Sequence, residues 1–118
     1  MMVSELLSIL KKIIEDVNSD YVTKKILPSE SLVIELRATD NGSIYVEVSE
    51  NGLRILDKFD GQPESTIMSS SENLMKILKG ELDPVKAFFF GKVKVEGSID
   101  IAYIIYERLR DYQRVKKL

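Results

Sequence analysis

The stretch Phe88-Phe89-Phe90-Gly91-Lys92-Val93-Lys94-Val95-Glu96-Gly97-Ser98 decides how the second half of the chain folds. Three consecutive aromatic side chains cannot all point into one layer, because successive side chains diverge on any backbone. After the first glycine, Val93 and Val95 alternate with charged residues, which is the pattern of a half-buried strand. Gly97-Ser98 then precedes a long helical pattern that begins at Ile99. The stretch therefore predicts the end of a short helix, a strand and a final helix.

Upstream of this stretch, apolar residues alternate with polar ones at a period of two. This pattern runs from Ser31 to Lys58 and is interrupted by the turn sequences Asp40-Asn41-Gly42 and Asn51-Gly52. It predicts a three-stranded antiparallel meander with one apolar side. A further short strand is predicted from Ser65 to Met68.

Helical patterns occupy the remaining segments. Ser4 to Asn18 has apolar residues at spacings of three and four and predicts an amphipathic helix, and Tyr21 to Ile26 adds up to two more turns. Ser69 and Glu72 have the spacing of a capping box, and Asp83-Pro84 has the form of an N-cap followed by proline at the first helical position.

The order of these elements predicts an α+β fold for a single domain over residues 1–118. We expect two layers, with a mainly antiparallel five-stranded sheet whose one face is covered by the helices. The 118 residues suit one hydrophobic core, and the 44% apolar content can fill it.

The composition excludes several classes of chemistry. The chain has no Cys, His or Trp, which removes thiolate nucleophiles, Cys/His zinc sites and Ser-His triads. Asp57, Asp60 and Glu64 cluster near one loop but lack the alternating spacing of a calcium loop. We therefore expect a protein that is not an enzyme and that uses no catalytic residue, metal or cofactor.

The charge and the N-terminus bear on partners and location. A net charge of −2 gives no broad positive field, so no nucleic-acid partner is expected. No signal peptide is visible, and no stretch reaches the roughly 18 apolar residues of a membrane span. A cytoplasmic protein is expected, and the absence of cysteine agrees with a reducing compartment.

The final helix has more apolar surface than one flat contact can bury. At 100° per residue its apolar side chains span an arc of about 220°, whereas a sheet-packing helix needs about 100°. Two interpretations stay open from spacing alone: these side chains and the three phenylalanines fill the core, or they line a cavity beneath the helix. The arc contains Ile99, Ile101, Ala102, Ile104, Ile105, Tyr106, Leu109, Tyr112 and Val115.

The segment from Phe88 to Ser98 resembles the signature of the sterol carrier protein 2 family, in which an aromatic pair, Gly-Lys, an alternating strand and a further Gly lead into the final helix. The preceding Thr66-Ile67-Met68, Lys79-Gly80 and Asp83-Pro84-Val85-Lys86-Ala87 follow the family's order. The resemblance covers nearly the whole chain and is most specific from Ser65 to Gly97. The richness in Ile, Lys and Glu suggests a stand-alone prokaryotic member.

The resemblance implies a non-catalytic carrier of an apolar ligand in a tunnel between the sheet and the helices. A fatty acid, an acyl-CoA or another lipid is expected rather than a sterol. By position, the resemblance assigns to the tunnel wall Leu78, Leu82, Phe88, Phe89, Val93 and Val95. It assigns to the lid Ile101, Ile105 and Leu109.

Other uses of the same surface stay open. The apolar surplus also suits an interaction module that forms a homodimer or binds a lipid-metabolising enzyme such as a thiolase-like partner. The basic end of the final helix, from Arg108 to Lys117, suits transient contact with acidic headgroups or solvation of a helix end that complements its own dipole. Lys92 and Lys94 are expected on the outer face of the last strand.

Overall fold

The described residues form one mixed five-stranded sheet and four helices, so the predicted α+β fold is confirmed. The structure is a computed structural model and describes residues 2–20 and 30–117. In chain order the elements are α1 (Met2–Ser19), β1 (Leu32–Ala38), β2 (Gly42–Ser49), β3 (Gly52–Leu56), β4 (Ser65–Ser69), α2 (Ser71–Leu78), α3 (Pro84–Phe89), β5 (Lys94–Gly97) and α4 (Ile99–Lys117). The predicted turns from Tyr21 to Ile26 lie outside the described residues.

The strands lie in the order β3-β2-β1-β4-β5. The first three strands pair antiparallel, which confirms the predicted meander. β4 pairs antiparallel with β5 and parallel with β1, where Ile34 is opposite Ser65. The sheet is therefore mainly antiparallel, with one parallel pairing at its centre.

The core lies between the inner face of the sheet and helices α1 and α2. Every second residue of β1 and β2 points inward, because successive side chains of a strand face opposite sides. Each fully buried large aliphatic side chain contributes about 1.5–3 kcal/mol. The buried cluster comprises Leu6, Leu10, Ile34, Ala38, Ile44, Val46, Val48, Leu74 and Met75.

The outer face of the sheet holds a polar network around Glu35, which is only 3% exposed. Its carboxylate accepts hydrogen bonds from Arg37 Nε (3.0 Å) and Nη2 (3.1 Å), from Ser43 Oγ (2.5 Å) and from Thr66 Oγ1 (3.0 Å). Burial raises the pKa of Glu35, but these hydrogen bonds outweigh it, and the pKa is lowered overall. Glu35 is therefore a buried anion with its hydrogen bonds satisfied.

The start of α2 differs from the prediction by one residue. The N-cap is Ser70, whose Oγ accepts a hydrogen bond from the Asn73 amide at 3.1 Å. The capping box of Ser69 and Glu72 was wrong, because Ser69 is the last residue of β4 and its hydroxyl donates to the Lys92 carbonyl at 2.6 Å. Glu72 instead pairs with Lys76 one turn later.

The starts of α3 and α4 agree with the predictions from the sequence. Asp83 caps α3, with its carboxylate accepting from the amides of Val85 and Lys86, and Pro84 is the first helical residue. At the start of α4, Ser98 Oγ accepts from the Ile101 amide at 3.1 Å. The last strand begins at Lys94 rather than at Lys92, so the buried Val93 precedes it.

In the described part of the chain, no helix is both long enough and apolar enough to cross a bilayer.

Candidate functional site

A cavity of about 430 Å³ lies between the inner face of the sheet and the four helices of the described residues. This volume is in the range of small-molecule pockets in proteins. From α1, the sheet and α2 it is lined by Leu10, Ile13, Val17, Ile34, Leu36, Val46, Val48, Leu53, Ile67, Val95, Leu74, Ile77 and Leu78. From α3, the segment before β5 and α4 it is lined by Pro84, Val85, Phe88, Phe89, Val93, Ile99, Ala102, Tyr103, Ile105, Tyr106, Arg108, Leu109 and Tyr112.

The cavity exists because α4 does not pack tightly against the sheet. α4 contacts β4 and β5, yet none of its described side chains is fully buried. Ile105 and Leu109 are half-buried and line the cavity, although a helix seated directly on a sheet would bury such positions. Much of the apolar arc of this helix therefore lines a space, while Ile101 packs against the core and Ile104 and Val115 are exposed.

Both ends of α4 are fixed by hydrogen bonds. Near its C-terminal end, Tyr112 Oη donates to Asp16 Oδ2 of α1 at 2.7 Å. Gln113 Nε2 donates to the carbonyls of Ile77 and Leu78 at the end of α2, each at 3.0 Å. At the other end, the Ser98 amide donates to the Glu64 carbonyl at 2.8 Å. The helix is thus held at its ends while its middle spans the cavity.

The Tyr112 hydroxyl is held in its neutral form. Burial, followed by the hydrogen bond to Asp16 and the negative charge of that carboxylate, raises the pKa of Tyr112 to about 12. At neutral pH the Tyr112 hydroxyl therefore stays protonated and can donate its hydrogen bond to Asp16.

Few polar groups face the cavity. Among its described lining residues, those with side-chain polar atoms are Tyr103, Tyr106, Arg108 and Tyr112, all on α4. The guanidinium of Arg110 lies 5.4 Å from the ring centre of Tyr106, and a hydrogen bond to that tyrosine is the main cause that raises the pKa of Arg110. No Asp or Glu occurs among the described lining residues. The arrangement suits binding of an apolar molecule.

The structure brings together most of the residues that the sequence analysis assigned to the tunnel and its lid. Seven of those nine line the cavity: Leu78, Phe88, Phe89, Val93, Val95, Ile105 and Leu109.

Leu82 and Ile101 are not among the residues that line the cavity, so their assignment to the ligand site stays a prediction. Leu82 packs against the small cluster of Ile77, Ala87 and Val93. Ile101 packs against the main core cluster, because it lies on the side of α4 that faces that core.

Sequence reasoning missed the wall that α1 and the meander contribute. Leu10, Ile13 and Val17 were assigned to an amphipathic face, and Val46 and Val48 to the apolar side of the sheet. The same periodicity describes a side chain that fills a core and one that borders a void. No sequence signal distinguished these residues from ordinary core positions.

One edge of the cavity is open to solvent. Four lining residues remain strongly exposed: Phe88 (39%) and Phe89 (79%) on α3, and Ile99 (59%) and Tyr103 (50%) on α4. Side chains that border the cavity and also reach solvent mark its mouth, and we refer to these four residues as the rim. The rim lies between the end of α3 and the start of α4.

The chain is similar in sequence to known proteins. The model of the SCP-2 sterol transfer family matches residues 10–104. The chain is 28% identical over 99 residues to a peroxisomal multifunctional enzyme type 2 from Mus musculus; the match covers 80% of this chain and 14% of that enzyme's length.

Solved structures share the fold. A UbiJ-SCP2 ubiquinone synthesis protein superposes with a TM-score of 0.67 at 14% identity, covering 86% of this chain and 93% of the other. Palmitated SCP2L2 from Aedes aegypti superposes with a TM-score of 0.63 at 22% identity, covering 86% of this chain and 90% of the other.

Proposed function

The chain belongs to the SCP-2 sterol transfer family, and we propose that it carries a fatty acid or another linear fatty acyl lipid in the cavity beneath α4. Family membership implies lipid binding and transfer. The linear acyl ligand, the cavity as its site and the absence of catalysis are our proposal.

The observation that carries the proposal is the apolar lining of the cavity. A ligand methylene that leaves water contributes about 0.8 kcal/mol, so about ten of them contribute about 8 kcal/mol, which corresponds to micromolar affinity. Binding of this strength requires no polar anchor. The aliphatic side chains from both layers provide such an environment along the whole space.

We favour a linear chain over a rigid ring system because the lining residues are spread over both layers of the fold. The cavity extends from the rim at α3 and α4 to Val17 and Leu53, which lie on α1 and on the edge strand β3. A flexible acyl chain can follow such a path between two layers by rotating about single bonds. The palmitated state of the Aedes aegypti relative supports a fatty acyl ligand.

The proposed role is transport without chemistry. Among the described residues, the cavity lacks a carboxylate, and the chain has no histidine or cysteine to act as a base or nucleophile. The related murine enzyme is far longer than this chain, so its catalytic activity is not carried over. The carrier would accept a lipid from one site and deliver it to another.

An interaction module, as a homodimer or as the partner of a lipid-metabolising enzyme, would use the same apolar surplus. That alternative expects a filled core beneath α4, whereas the cavity supports a carrier. The name of the UbiJ-SCP2 relative includes ubiquinone synthesis, and delivery of a lipid to an enzyme is compatible with the carrier role.

The experiment is native purification followed by organic extraction and mass spectrometry, together with titration of a fluorescent fatty acid. We expect co-purified fatty acyl lipid and saturable binding at one site. The proposal would be wrong if no lipid co-purified and the fluorescent fatty acid did not bind saturably.

A further inference from the structure

Arg108 on α4 is the only charged residue among the described residues that line the cavity. We infer that its guanidinium binds the ionised carboxylate of a fatty acid, so that the carrier selects free fatty acids over neutral acyl esters and holds the carboxylate away from the rim. The inference rests on the proposed function, because it assigns the headgroup and the direction of the ligand in the same cavity.

The first step of the argument is the contrast between Arg108 and the wall around it. Arg108 is half-buried, and its neighbours Ile105 and Leu109 on α4 are apolar and also line the cavity. Arginine keeps its charge in proteins. A charged group beside an apolar space loses part of its hydration, and a group of opposite charge offsets that loss. A ligand that brings an anion to this part of the wall is therefore favoured over a neutral one.

The second step is the geometry of the guanidinium group. Its several N–H donors form a planar fork, so it can keep contacts with the protein and still present donors to a ligand. A carboxylate accepts a pair of parallel hydrogen bonds from such a fork, and these bonds are stronger than those between neutral groups. A phosphate headgroup carries more negative charge and is better matched by several cations, whereas Arg108 is alone in the described lining. The anion that fits is therefore a single carboxylate.

The third step concerns the residues next to Arg108 on the side of α1. Tyr112 lies one turn after Arg108, lines the cavity and donates its hydrogen bond to Asp16. Burial and the contact with Asp16 raise the pKa of Tyr112 to about 12, so its hydroxyl adds no negative charge to the wall. Asp16 itself is not among the described lining residues. The described wall at this end therefore presents one positive group to the cavity and no negative group.

The position of Arg108 also sets the direction of the ligand. Ile99, which belongs to the rim, lies nine residues earlier on α4, which is about 14 Å along the helix axis at about 1.5 Å per residue. Ala102 and Ile105 lie between these two positions and line the cavity. With the carboxylate at Arg108, the acyl chain extends past these side chains, and its methyl end lies toward the rim.

The first test compares cis-parinaric acid, a linear fluorescent fatty acid, with its methyl ester. The two ligands have the same chain, so a difference in affinity reports the carboxylate. The unmodified protein should bind the acid about tenfold or more tighter than the ester, because only the acid forms charged hydrogen bonds with the guanidinium. Equal affinities would overturn the inference and leave the proposed function standing, whereas failure of both ligands to bind would contradict the proposed function itself.

Variants of Arg108 identify the residue that recognises the carboxylate. Arg108→Gln should bind the acid about tenfold or more weakly and bind the ester unchanged, which also shows that the variant folds. Arg108→Lys keeps the charge without the planar fork, so its affinity for the acid should lie between the two. Arg114→Gln is the matched control, because Arg114 is exposed on the same helix outside the described lining, and it should change neither affinity. Equal losses for acid and ester in Arg108→Gln, or an equal loss of acid binding in Arg114→Gln, would overturn the inference.

A reporter at the rim tests the direction of the ligand. The chain has no tryptophan, so Phe89→Trp provides a single indole at the rim. Stearic acid with a nitroxide near its methyl end should quench this indole more strongly than stearic acid with a nitroxide near its carboxyl group. Equal quenching or the opposite order would overturn the placement of the carboxylate at Arg108.

Discussion

The Tyr112 hydroxyl donates a hydrogen bond of 2.7 Å to Asp16 Oδ2, joining residues 96 positions apart in the chain. This bond connects the helix that spans the cavity to the first helix of the protein. Because Tyr112 also lines the cavity, the bond lies where movement of α4 would widen the space. We therefore expect this bond to slow the release of a bound ligand.

We expect Tyr112→Phe to retain the ring that lines the cavity but to lose this link. Loss of one hydrogen bond of this kind costs about 1 kcal/mol of unfolding free energy, measured by urea denaturation. In stopped-flow displacement, a bound fluorescent fatty acid should dissociate several-fold faster than from the unmodified protein. If the variant lost stability but the fatty acid dissociated at an unchanged rate, the bond would have only a structural role, and the prediction on ligand release would be wrong.

The raised pKa of Tyr112 predicts a loss of stability in alkali. The phenol has a folded-state pKa of about 12 against an ordinary value of 10.0. Its contribution is fully present below pH 10.0 and is lost as pH rises toward about 12. Unfolding free energy should therefore fall less steeply across this range in Tyr112→Phe than in the unmodified protein. Identical slopes would contradict the assignment.

The Glu35 network predicts an effect of the opposite sign in acid. The lowered pKa of Glu35 means that its contribution is present above its ordinary pKa of 4.5 and is lost as pH falls through the lower folded-state value. Glu35→Gln should destabilise the protein by about 1–3 kcal/mol at neutral pH and flatten the acid limb of the stability curve. Glu47→Gln is the matched control, because Glu47 pairs with the exposed Arg54 on the same face of the sheet. Equal effects of the two variants would contradict a special role for Glu35.

Asn18 at the end of α1 lies against Gly52 and Leu53 at the start of the edge strand β3. The side-chain Nδ2 of Asn18 donates a hydrogen bond to the Leu53 backbone carbonyl at 2.9 Å. Its Oδ1 accepts one from the Leu53 backbone N–H at 2.8 Å. A Cβ at Gly52 would lie 2.1 Å from Asn18 Oδ1, and the φ of Gly52 is +117°. Gly52→Ala should therefore cost more than about 2 kcal/mol in urea unfolding.

Gly42→Ala separates the two causes in this prediction. Gly42 has a similar φ of +107°, but nothing lies within 4 Å of its added Cβ. It should cost only the backbone strain, about 1–2 kcal/mol. If both alanine variants cost the same, the Asn18 contact would contribute nothing.

Much of the fold could be predicted because the turn and capping residues and the periodicity of the apolar residues indicate the same helices and strands. Strand alternation in β1 and β2, the Asn-Gly turn and the Asp83-Pro84 helix start each have a local cause. The start of α2 could not be placed within one residue, since Ser69 and Ser70 are both good caps. Pairing of Ser69 with Ala38 in the parallel ladder decides between them, and that partner is distant in the chain.

The candidate site was predicted less completely than the fold. Val93, Val95 and two phenylalanines were assigned through a family motif and line the cavity, whereas Leu82, in the loop before α3, and Ile101, on α4, were assigned in the same way and pack against core clusters. Leu10 and Val17 gave no sign that they border a void, because hydrophobic periodicity reports burial and not the space beside a side chain. The size of that space depends on how far α4 stands from the sheet, which is a tertiary property.

The central claim, that the cavity beneath α4 holds the ligand, is tested most directly by filling it. Ala102 is half-buried on α4 and lines the cavity, whereas Val115 is exposed on the same helix outside the lining. Titration of Ala102→Trp and Val115→Trp with a fluorescent fatty acid compares an added indole inside and outside the site, after circular dichroism has shown that both variants fold. Affinity should fall by about tenfold or more for Ala102→Trp, a loss of about 1.4 kcal/mol, and stay unchanged for Val115→Trp. Undiminished affinity in a folded Ala102→Trp would contradict the claim.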